Sequence, residues 1–269
     1  MTDLAALSAL VEEADGVAPF NEATLTADAA GDEPRVLVRS EVGMAVGYGD
    51  APVELAVEPA ARRRGHGRRL VQDLLDAGET HFWAHGDLPG SQALAAAVDL
   101  RAERTLLVMR RPAKPVDDAS APAGVALRTA TRDDVDGVVA VNGRAFASHP
   151  EQGAMDRADF ERRAASDWFS WDGLFVAERD GEIVGFHWTK IEDGLGEVYV
   201  VGVDPSEQGT GLGTALTARG LQHLVAAGVS EIDLYVEGDN APALAVYRRL
   251  GFVDHARDTL YATYAPVGC

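Results

Sequence analysis

Residues 196–216 read GEVYVVGVDPSEQGTGLGTAL, and this stretch decides the fold of the chain. An apolar run typical of a central β-strand is followed by an Asp-Pro turn, by a Gln-x-x-Gly-x-Gly segment and by a helix-forming run. The first N–H groups of a helix have no partners within it, and glycines at positions 209, 211 and 213 let the backbone approach an anion closely. The stretch therefore predicts a strand, an anion-binding loop and a helix in succession, which suits a phosphate or a diphosphate.

Two other kinds of phosphate loop can be compared with this stretch. A P-loop needs a Lys-Ser/Thr pair after its last glycine, but Gly213 is followed directly by Thr214. A dinucleotide-binding loop needs the spacing G-x-G-x-x-G inside a βαβ unit, and the spacing here is different. The P-loop is excluded and the dinucleotide loop fits poorly, whereas an ordinary glycine-rich turn remains an alternative for the hexapeptide alone.

The same pattern occurs twice in the chain. Residues 55–70, LAVEPAARRRGHGRRL, align without gaps with residues 201–216, and both glycines of the loop coincide. A second pairing sets WAHGD at 83–87 against YVEGD at 235–239. The first pairing has an offset of 146 residues and the second an offset of 152. Because both pairings join segments with similar sequences in the same order, a duplication is the simplest explanation.

The duplication predicts an α/β (α+β) chain with two tandem domains of one fold. Each domain is expected to have a mostly antiparallel central sheet with helices on both faces. The domains are predicted at residues 1–111 and 124–269. Residues 112–123 between them are rich in Pro, Ala and Asp and lack apolar periodicity, so they are the predicted linker.

Composition narrows the functional class. The chain has 269 residues, of which 46% are hydrophobic and 25% charged, and its net charge is -19. That charge would repel nucleic acid, although it would attract a cationic substrate. The acidic N-terminal segment does not look like a signal peptide and no run could span a membrane, so we expect a cytoplasmic protein. We also expect a monomer that acts on small molecules. With Cys269 as the one cysteine and no ligand-like histidine spacing, neither a disulfide nor a metal site is expected.

The segment Gln208-x-x-Gly211-x-Gly213, placed after a strand that ends in Val-Asp-Pro, resembles the acyl-CoA loop of the GCN5-related N-acetyltransferase (GNAT) superfamily. The resemblance implies two GNAT-fold domains and acetyl-CoA as cosubstrate. In the second copy it implies acetyl-CoA contacts at Val201, Gly202, Val203, Gln208, Gly209, Thr210, Gly211, Leu212, Gly213, Thr214, Asn240, Ala241, Pro242, Ala243, Leu244 and Ala245. In the first copy the corresponding residues are Leu55, Ala56, Val57, Arg63, Arg64, Gly65, His66, Gly67 and Arg68, although these arginines could equally form a solvated basic turn.

Acetyl transfer to an amine needs a proton acceptor and a proton donor. Glu197 is the candidate acceptor, and strand alternation is expected to place it on one face with Tyr199, Val201 and Val203. The alternative is a solvent-exposed glutamate at a strand end.

Tyr247 is the candidate acid, because the superfamily resemblance implies a tyrosine at this helix position that points at the thioester sulfur. The alternative is a core tyrosine packed against Phe252. In the first copy Ala95 aligns with Tyr247, so that copy is expected to lack the acid.

Six segments across both copies resemble the mycothiol synthases, a family within this superfamily. They are DGVAPFNE (15–22), FWAHGDL (82–88), AFASHPEQG (145–153), GFHWTK (185–190), GLGEVYVVGVDP (194–205) and LYVEGDNAPALAVYRRLGF (234–252). The family resemblance implies acetylation of the cysteinyl amine of cysteinyl-glucosaminyl-inositol, the last step of mycothiol formation. It implies substrate contacts at Glu22, Glu151, Lys190, Glu197 and Tyr235.

Two alternatives remain open at this point. One is a tandem acetyltransferase that acts on another amine, such as an aminoglycoside or a protein N-terminus. The other is an acetyl-CoA-binding module without turnover, which the incomplete first copy makes conceivable. The presence of both Glu197 and Tyr247 argues against the binding module.

Overall fold

The computed structural model describes residues 3–117, 119–147 and 152–264. Within these ranges the helices are α1 (Leu4–Asp15), α2 (Glu22–Ala30), α3 (His66–Asp76), α4 (Pro89–Ala97), α5 (Val135–Ala145), α6 (Arg157–Ala164), α7 (Leu212–Ala226) and α8 (Ala241–Arg249). The strands are β1 (Val36–Arg39), β2 (Gly43–Gly47), β3 (Val53–Val57), β4 (His81–Ala84), β5 (Leu100–Pro112), β6 (Ala126–Thr129), β7 (Leu174–Arg179), β8 (Glu182–Glu192), β9 (Leu195–Val203), β10 (Glu231–Glu237) and β11 (Val253–Thr263). No helix of these described ranges is long and apolar enough to cross a membrane.

The chain forms two compact units that are not simple halves of the sequence. Among the described residues, the first unit contains 3–107, Glu237–Asp239 and 256–264. The second contains Val108–Val236 and Asn240–His255. The end of β5 therefore belongs to the second unit and most of β11 to the first, which differs from the division at residues 111 and 124 that the repeat predicts.

The first unit is a mostly antiparallel sheet with helices on both faces. Its strand order is β1-β2-β3-β4-β11-β5, and β3 and β4 are a parallel pair. Alternation along β2 places Met44 and Val46 against Leu7 of α1, while Ala45 packs with Leu74 of α3 on the other face. This period-two pattern is the physical reason that one short strand separates two apolar layers.

The second unit repeats this architecture in the order β5-β10-β9-β8-β7-β6. Strand β9 is parallel to β10 and antiparallel to β8. Phe186 and Trp188 pack with α5 and α6 on one face, and Leu212 and Leu216 of α7 cover the other. The predicted α/β architecture with helices on both faces is confirmed.

Strand β9 contains a bulge that alternation along the sequence does not predict. Thr189 of β8 pairs with Val198, but the residue before it, Trp188, pairs with Val200. Tyr199 is thus an additional residue on β9, and an additional residue shifts the two-residue period by one.

The bulge corrects the prediction about the faces of β9. Glu197 lies opposite Lys190. Its side chain is on the same face of the sheet as Tyr199, whose ring contacts the ring of Trp188. Val201 and Val203 pack instead with the α7 layer on the opposite face. The expectation that all four β9 residues share one face is therefore wrong for the two valines.

Helix α2 has a side-chain cap at its start. The Asn21 side chain accepts a hydrogen bond from the Thr24 N–H at 2.8 Å. This cap satisfies an N–H group that would otherwise have no partner in the first turn of the helix.

Candidate functional site

The turn that follows β9 is fixed by two ion pairs. Asp204 accepts from the Ser206 N–H at 3.0 Å and from Arg144 Nε of α5 at 2.6 Å. Glu207, which is buried, pairs with Arg179 of β7 at 2.6 Å. Because both carboxylates are anchored to different elements of the unit, the loop that follows has a defined starting position.

The anion loop, residues 208–214, contains two glycines in a backbone conformation that other residues rarely adopt. Gly209 and Gly211 have φ values of 77° and 93°, in the left-handed region. Gly211 is the N-cap of α7, and no side chain caps this helix. The first N–H groups of α7 therefore point toward the loop, where the helix dipole also favours an anion.

Two side chains next to the loop, Leu212 and Arg249, differ in what they can offer a ligand. Leu212 is fully buried and anchors α7 in the core, so only its backbone can meet a ligand. Arg249 of α8 donates to Thr214 Oγ1 at 3.1 Å. This contact places a guanidinium beside the loop, a feature that the sequence analysis did not identify.

Strands β9 and β10 separate next to the loop. Their paired residues run from Leu195 and Glu231 to Val198 and Leu234. Residues 201–203 lie beyond that pairing, so one edge of their backbone faces the gap between the strands. This position suits the predicted contact of residues 201–203 with acetyl-CoA.

The predicted base and two predicted substrate residues share one face of the sheet. Glu197 is half-buried, faces Lys190 of β8 and pairs in register with Asp233 of β10. Tyr235 is two residues beyond Asp233, which puts it on the same face, and it is 53% exposed. The structure therefore places Lys190, Glu197 and Tyr235 on one face of the sheet, and their contact with an acceptor stays a prediction.

Aromatic residues surround the Lys190 side of this face. The Lys190 ammonium lies 2.8 Å from Glu192 Oε2 and 5.4 Å from the centre of the Trp168 ring. Trp168 also packs on Tyr199 at 4.9 Å between ring centres. The contact of Trp168 with the ammonium was not predicted, because Trp168 lies between elements in a segment without periodicity.

The predicted acid, Tyr247, is half-buried on α8. Its ring contacts Phe252 edge-on at 5.9 Å between centres. Burial raises the pKa of the Tyr247 phenol to about 12. The phenol is consequently protonated at neutral pH, as a proton donor must be.

Helix α8 holds Tyr247 and starts with the predicted cofactor segment 240–245. The Asn240 side chain caps it by accepting from the Ala243 N–H at 3.2 Å. Leu244 is buried, so its side chain belongs to the core, and the other predicted residues of the segment are exposed or half-buried.

The first unit contains a pocket of about 690 Å³ at the corresponding place. Its size is in the usual range for a cofactor site. Gly65, with φ of 86°, caps α3 there without a side-chain hydrogen bond. Of the nine predicted residues, all except Arg64 line the pocket, namely Leu55, Ala56, Val57, Arg63, Gly65, His66, Gly67 and Arg68.

One residue that lines this pocket, His85, belongs to a charged cluster. His85 lies with Nε2 2.5 Å from Glu54 Oε1 and Nδ1 3.2 Å from Asp258 Oδ2. Burial alone would lower the pKa of His85, but hydrogen bonds with Asp258 and Glu54 raise it to about 9. The ring is therefore a cation held by two carboxylates. Ala95 also lines the pocket, at the position aligned with Tyr247.

The remaining predicted residues lie elsewhere. Glu22 is exposed in the first turn of α2, within the first unit. Glu151 lies outside the described residues, as does Cys269. Among the described residues no group of three or more His, Cys, Asp or Glu side chains is placed to hold a metal ion.

Comparisons with known proteins identify the family. The chain is 49% identical to the protein named Mycothiol acetyltransferase of Clavibacter michiganensis subsp. michiganensis, over 92% of this chain and 86% of that protein. It is 45% identical to the Mycothiol acetyltransferase of Thermomonospora curvata, over 99% of this chain and 94% of that one. This chain belongs to the mycothiol acetyltransferase family.

Wider comparisons relate this chain to the GNAT proteins. The sequence model of the Acetyltransferase (GNAT) family matches residues 144–252. The fold is similar to that of a GCN5-related N-acetyltransferase from Sphaerobacter thermophilus, with a TM-score of 0.70, 22% identity and coverage of 94% of this chain and 90% of that one. It is also similar to a tandem GNAT protein from the clavulanic acid biosynthesis pathway, with a TM-score of 0.65, 21% identity and coverage of 98% and 94%. These likenesses confirm the tandem GNAT fold.

Proposed function

We propose that this chain transfers the acetyl group of acetyl-CoA to the cysteinyl amine of cysteinyl-glucosaminyl-inositol, the last step of mycothiol biosynthesis. One observation carries the proposal. In the second unit, Glu197 lies on the same strand that leads directly into the uncapped, glycine-built start of α7. A donor held at that helix start and an acceptor held at Glu197 would thus be positioned by one continuous element.

The residues of the second unit divide the binding of acetyl-CoA among them. N–H groups of residues 209–213 hold the diphosphate, and Arg249 adds positive charge beside it. The backbone of residues 201–203 binds the pantetheine arm at the gap between β9 and β10. Residues 240–245 at the start of α8 contact the later part of the coenzyme.

Two side chains carry the proton transfers. Glu197 accepts a proton from the cysteinyl nitrogen, directly or through water, as that nitrogen bonds to the acetyl carbon. The carbon–sulfur bond breaks in the same transfer, and Tyr247 protonates the departing thiolate. A phenol with a pKa of about 12 is protonated at neutral pH, so a proton is available on Tyr247 when that thiolate forms.

The acceptor is held by polar groups that suit a sugar and an ammonium. Lys190 and Tyr235 share the face of Glu197, and their donors and acceptors fit the hydroxyl groups of glucosamine and inositol. Glu22 and Glu151 are proposed as further contacts, on the resemblance alone. The net charge of -19 favours approach of a cationic amine.

The first unit is proposed to bind acetyl-CoA without transferring the acetyl group. Its pocket has the volume and the glycine turn for the coenzyme, but Ala95 takes the place of the phenol. We further propose that the protein acts as a monomer in the cytoplasm, without a metal ion and without nucleic acid or membrane partners.

An acceptor comparison tests the proposed reaction. Purified protein is incubated with acetyl-CoA and either cysteinyl-glucosaminyl-inositol, glucosaminyl-inositol or an aminoglycoside, and the acetylated atom is located by NMR. We expect acetylation at the cysteinyl nitrogen, no product from glucosaminyl-inositol, and strong loss of rate in Glu197→Gln. Preferred acetylation of the aminoglycoside would support the other tandem acetyltransferase, and acetyl-CoA binding without any product would support the binding module.

A further inference from the structure

The face that carries Glu197 holds a row of four charged residues across four strands, two acids flanked by two cations. Lys190 of β8 and Asp233 of β10 are the register partners of Glu197 on its two sides. Arg110 of β5 continues the row by pairing with Asp233. Other charged or titratable groups on or against this face are Glu192, Glu231, Tyr199, Tyr235 and Arg163 of α6.

The pair at the end of this row joins a half-buried arginine to a buried aspartate through two hydrogen bonds. Arg110 donates from Nε to Asp233 Oδ1 and from Nη2 to Oδ2, both at 2.6 Å. Asp233 is 5% exposed, and Arg110 makes a further contact of 3.2 Å with Glu231. Two parallel hydrogen bonds fix the orientation of both groups, and a single charged contact would not.

The pairing matters because Asp233 and Glu197 are adjacent acids. Neighbouring strands are about 4.8 Å apart, and register partners place their side chains on the same side of the sheet. A carboxylate at such a distance disfavours ionisation of its neighbour unless a cation compensates for it. With Asp233 held by Arg110, the like charge next to Glu197 is compensated and turned toward β5.

We propose that Arg110 is a positioning residue for acetyl transfer in the second unit, acting through Asp233 to keep Glu197 ionised and directed at the acceptor amine. The inference rests on the proposed role of Glu197 as base. Arg110 precedes the predicted linker at 112–123, so the half of the sequence that lacks the acid completes the catalytic unit of the other half.

The test compares pH profiles of kcat/KM for the full-length protein and three variants. Arg110→Gln leaves Asp233 uncompensated, and we expect the apparent pKa on the acidic side of the profile to rise by about one unit. Asp233→Asn removes the negative charge next to Glu197 and keeps the Arg110 guanidinium, which retains its contact with Glu231, and we expect that pKa to fall. In the double variant both charges are absent, so the profile should return to that of the wild type.

These opposite shifts separate positioning from a purely structural role. If Arg110 only stabilised the sheet, the single variants would lower the melting temperature and leave the apparent pKa in place, which would overturn the proposal. If Arg110→Gln does not fold, the comparison uses Asp233→Asn and Arg110→Lys. The lysine keeps the positive charge but cannot form the two parallel hydrogen bonds. Equal profiles in those two variants and the wild type would also overturn it.

A separate variant distinguishes this inference from the proposed function. Glu197→Gln should abolish the acidic limb together with most of the activity. Wild-type activity in Glu197→Gln would refute the base assignment itself, whatever Arg110 does. Loss of activity there, with an unchanged profile in Arg110→Gln, would refute only the role of Arg110.

Discussion

The substitution Gly211→Ala isolates the contribution of the anion loop. Gly211 has φ of 93°, and a Cβ atom added there meets nothing within 4 Å. The substitution therefore introduces backbone strain and no clash. A non-glycine residue in the left-handed region costs about 1–2 kcal/mol.

The expected effect follows from how the strain is relieved. The chain can relax only by rotating the peptide at the start of α7, which turns the N–H groups away from a bound diphosphate. If this rotation forfeits about 1–2 kcal/mol of binding, acetyl-CoA binds about 5- to 30-fold more weakly. Isothermal titration calorimetry with the acceptor absent measures the change.

The same helix provides a matched control. Gly228, just beyond the other end of α7, has φ of 82° and is likewise open around an added Cβ. Gly228→Ala should lower the melting temperature as much as Gly211→Ala does and leave the affinity for acetyl-CoA unchanged. If both variants lose the same stability and both keep wild-type affinity, the loop does not hold the diphosphate.

Three further predictions concern single side chains. Tyr247→Phe should lower kcat by about 10²- to 10⁴-fold with unchanged acetyl-CoA affinity, measured by steady-state kinetics and calorimetry, and an unchanged kcat would show that Tyr247 is only a core residue. His85 is stabilised as a cation, so its contribution to folding should be complete below pH 6.5 and lost as pH rises toward about 9. Urea unfolding should then show about 3 kcal/mol less stability at pH 9.5 than at pH 6.5 in the wild type, a difference that His85→Gln should lack and whose persistence there would contradict the assignment. Arg249→Gln should raise the KM for acetyl-CoA several-fold and reduce its salt dependence, whereas an equal salt dependence would exclude a contact with the diphosphate.

Local features of the fold could be predicted from the sequence because they depend on local chemistry. The apolar run before the Asp-Pro turn forms strand β9, and Gly65 and Gly211 both adopt the left-handed conformation at a helix start. In each case the residue type follows from the backbone conformation that its own position requires.

Features that depend on partners could not be predicted. The bulge at Tyr199 is a property of the pairing of β9 with β8, and no pattern within β9 specifies it. The assignment of β11 to the first unit, where Tyr261 pairs with Phe82, depends on which strand edge is available. Periodicity predicts that a segment is a strand, but it does not say which strand is its neighbour.

The candidate site shows the same division. The repeat and the family resemblance identify Glu197, the glycine loop and Tyr247 as candidates. The Arg110–Asp233 pair joins residues that lie far apart in the sequence, and the one signal was an acid inside the apolar run IDLYV. Arg249 gave no signal, since it lies in the pair of arginines that ends α8.

A crystal structure with a stable acetyl-CoA analogue tests the central claim most directly. We predict that the diphosphate accepts hydrogen bonds from the N–H groups of residues 209–213 and that the sulfur lies within about 3.5 Å of the Tyr247 hydroxyl. The acetyl carbon should face Glu197 across the gap between β9 and β10. An empty loop in the second unit, or a sulfur remote from both side chains, would contradict the account.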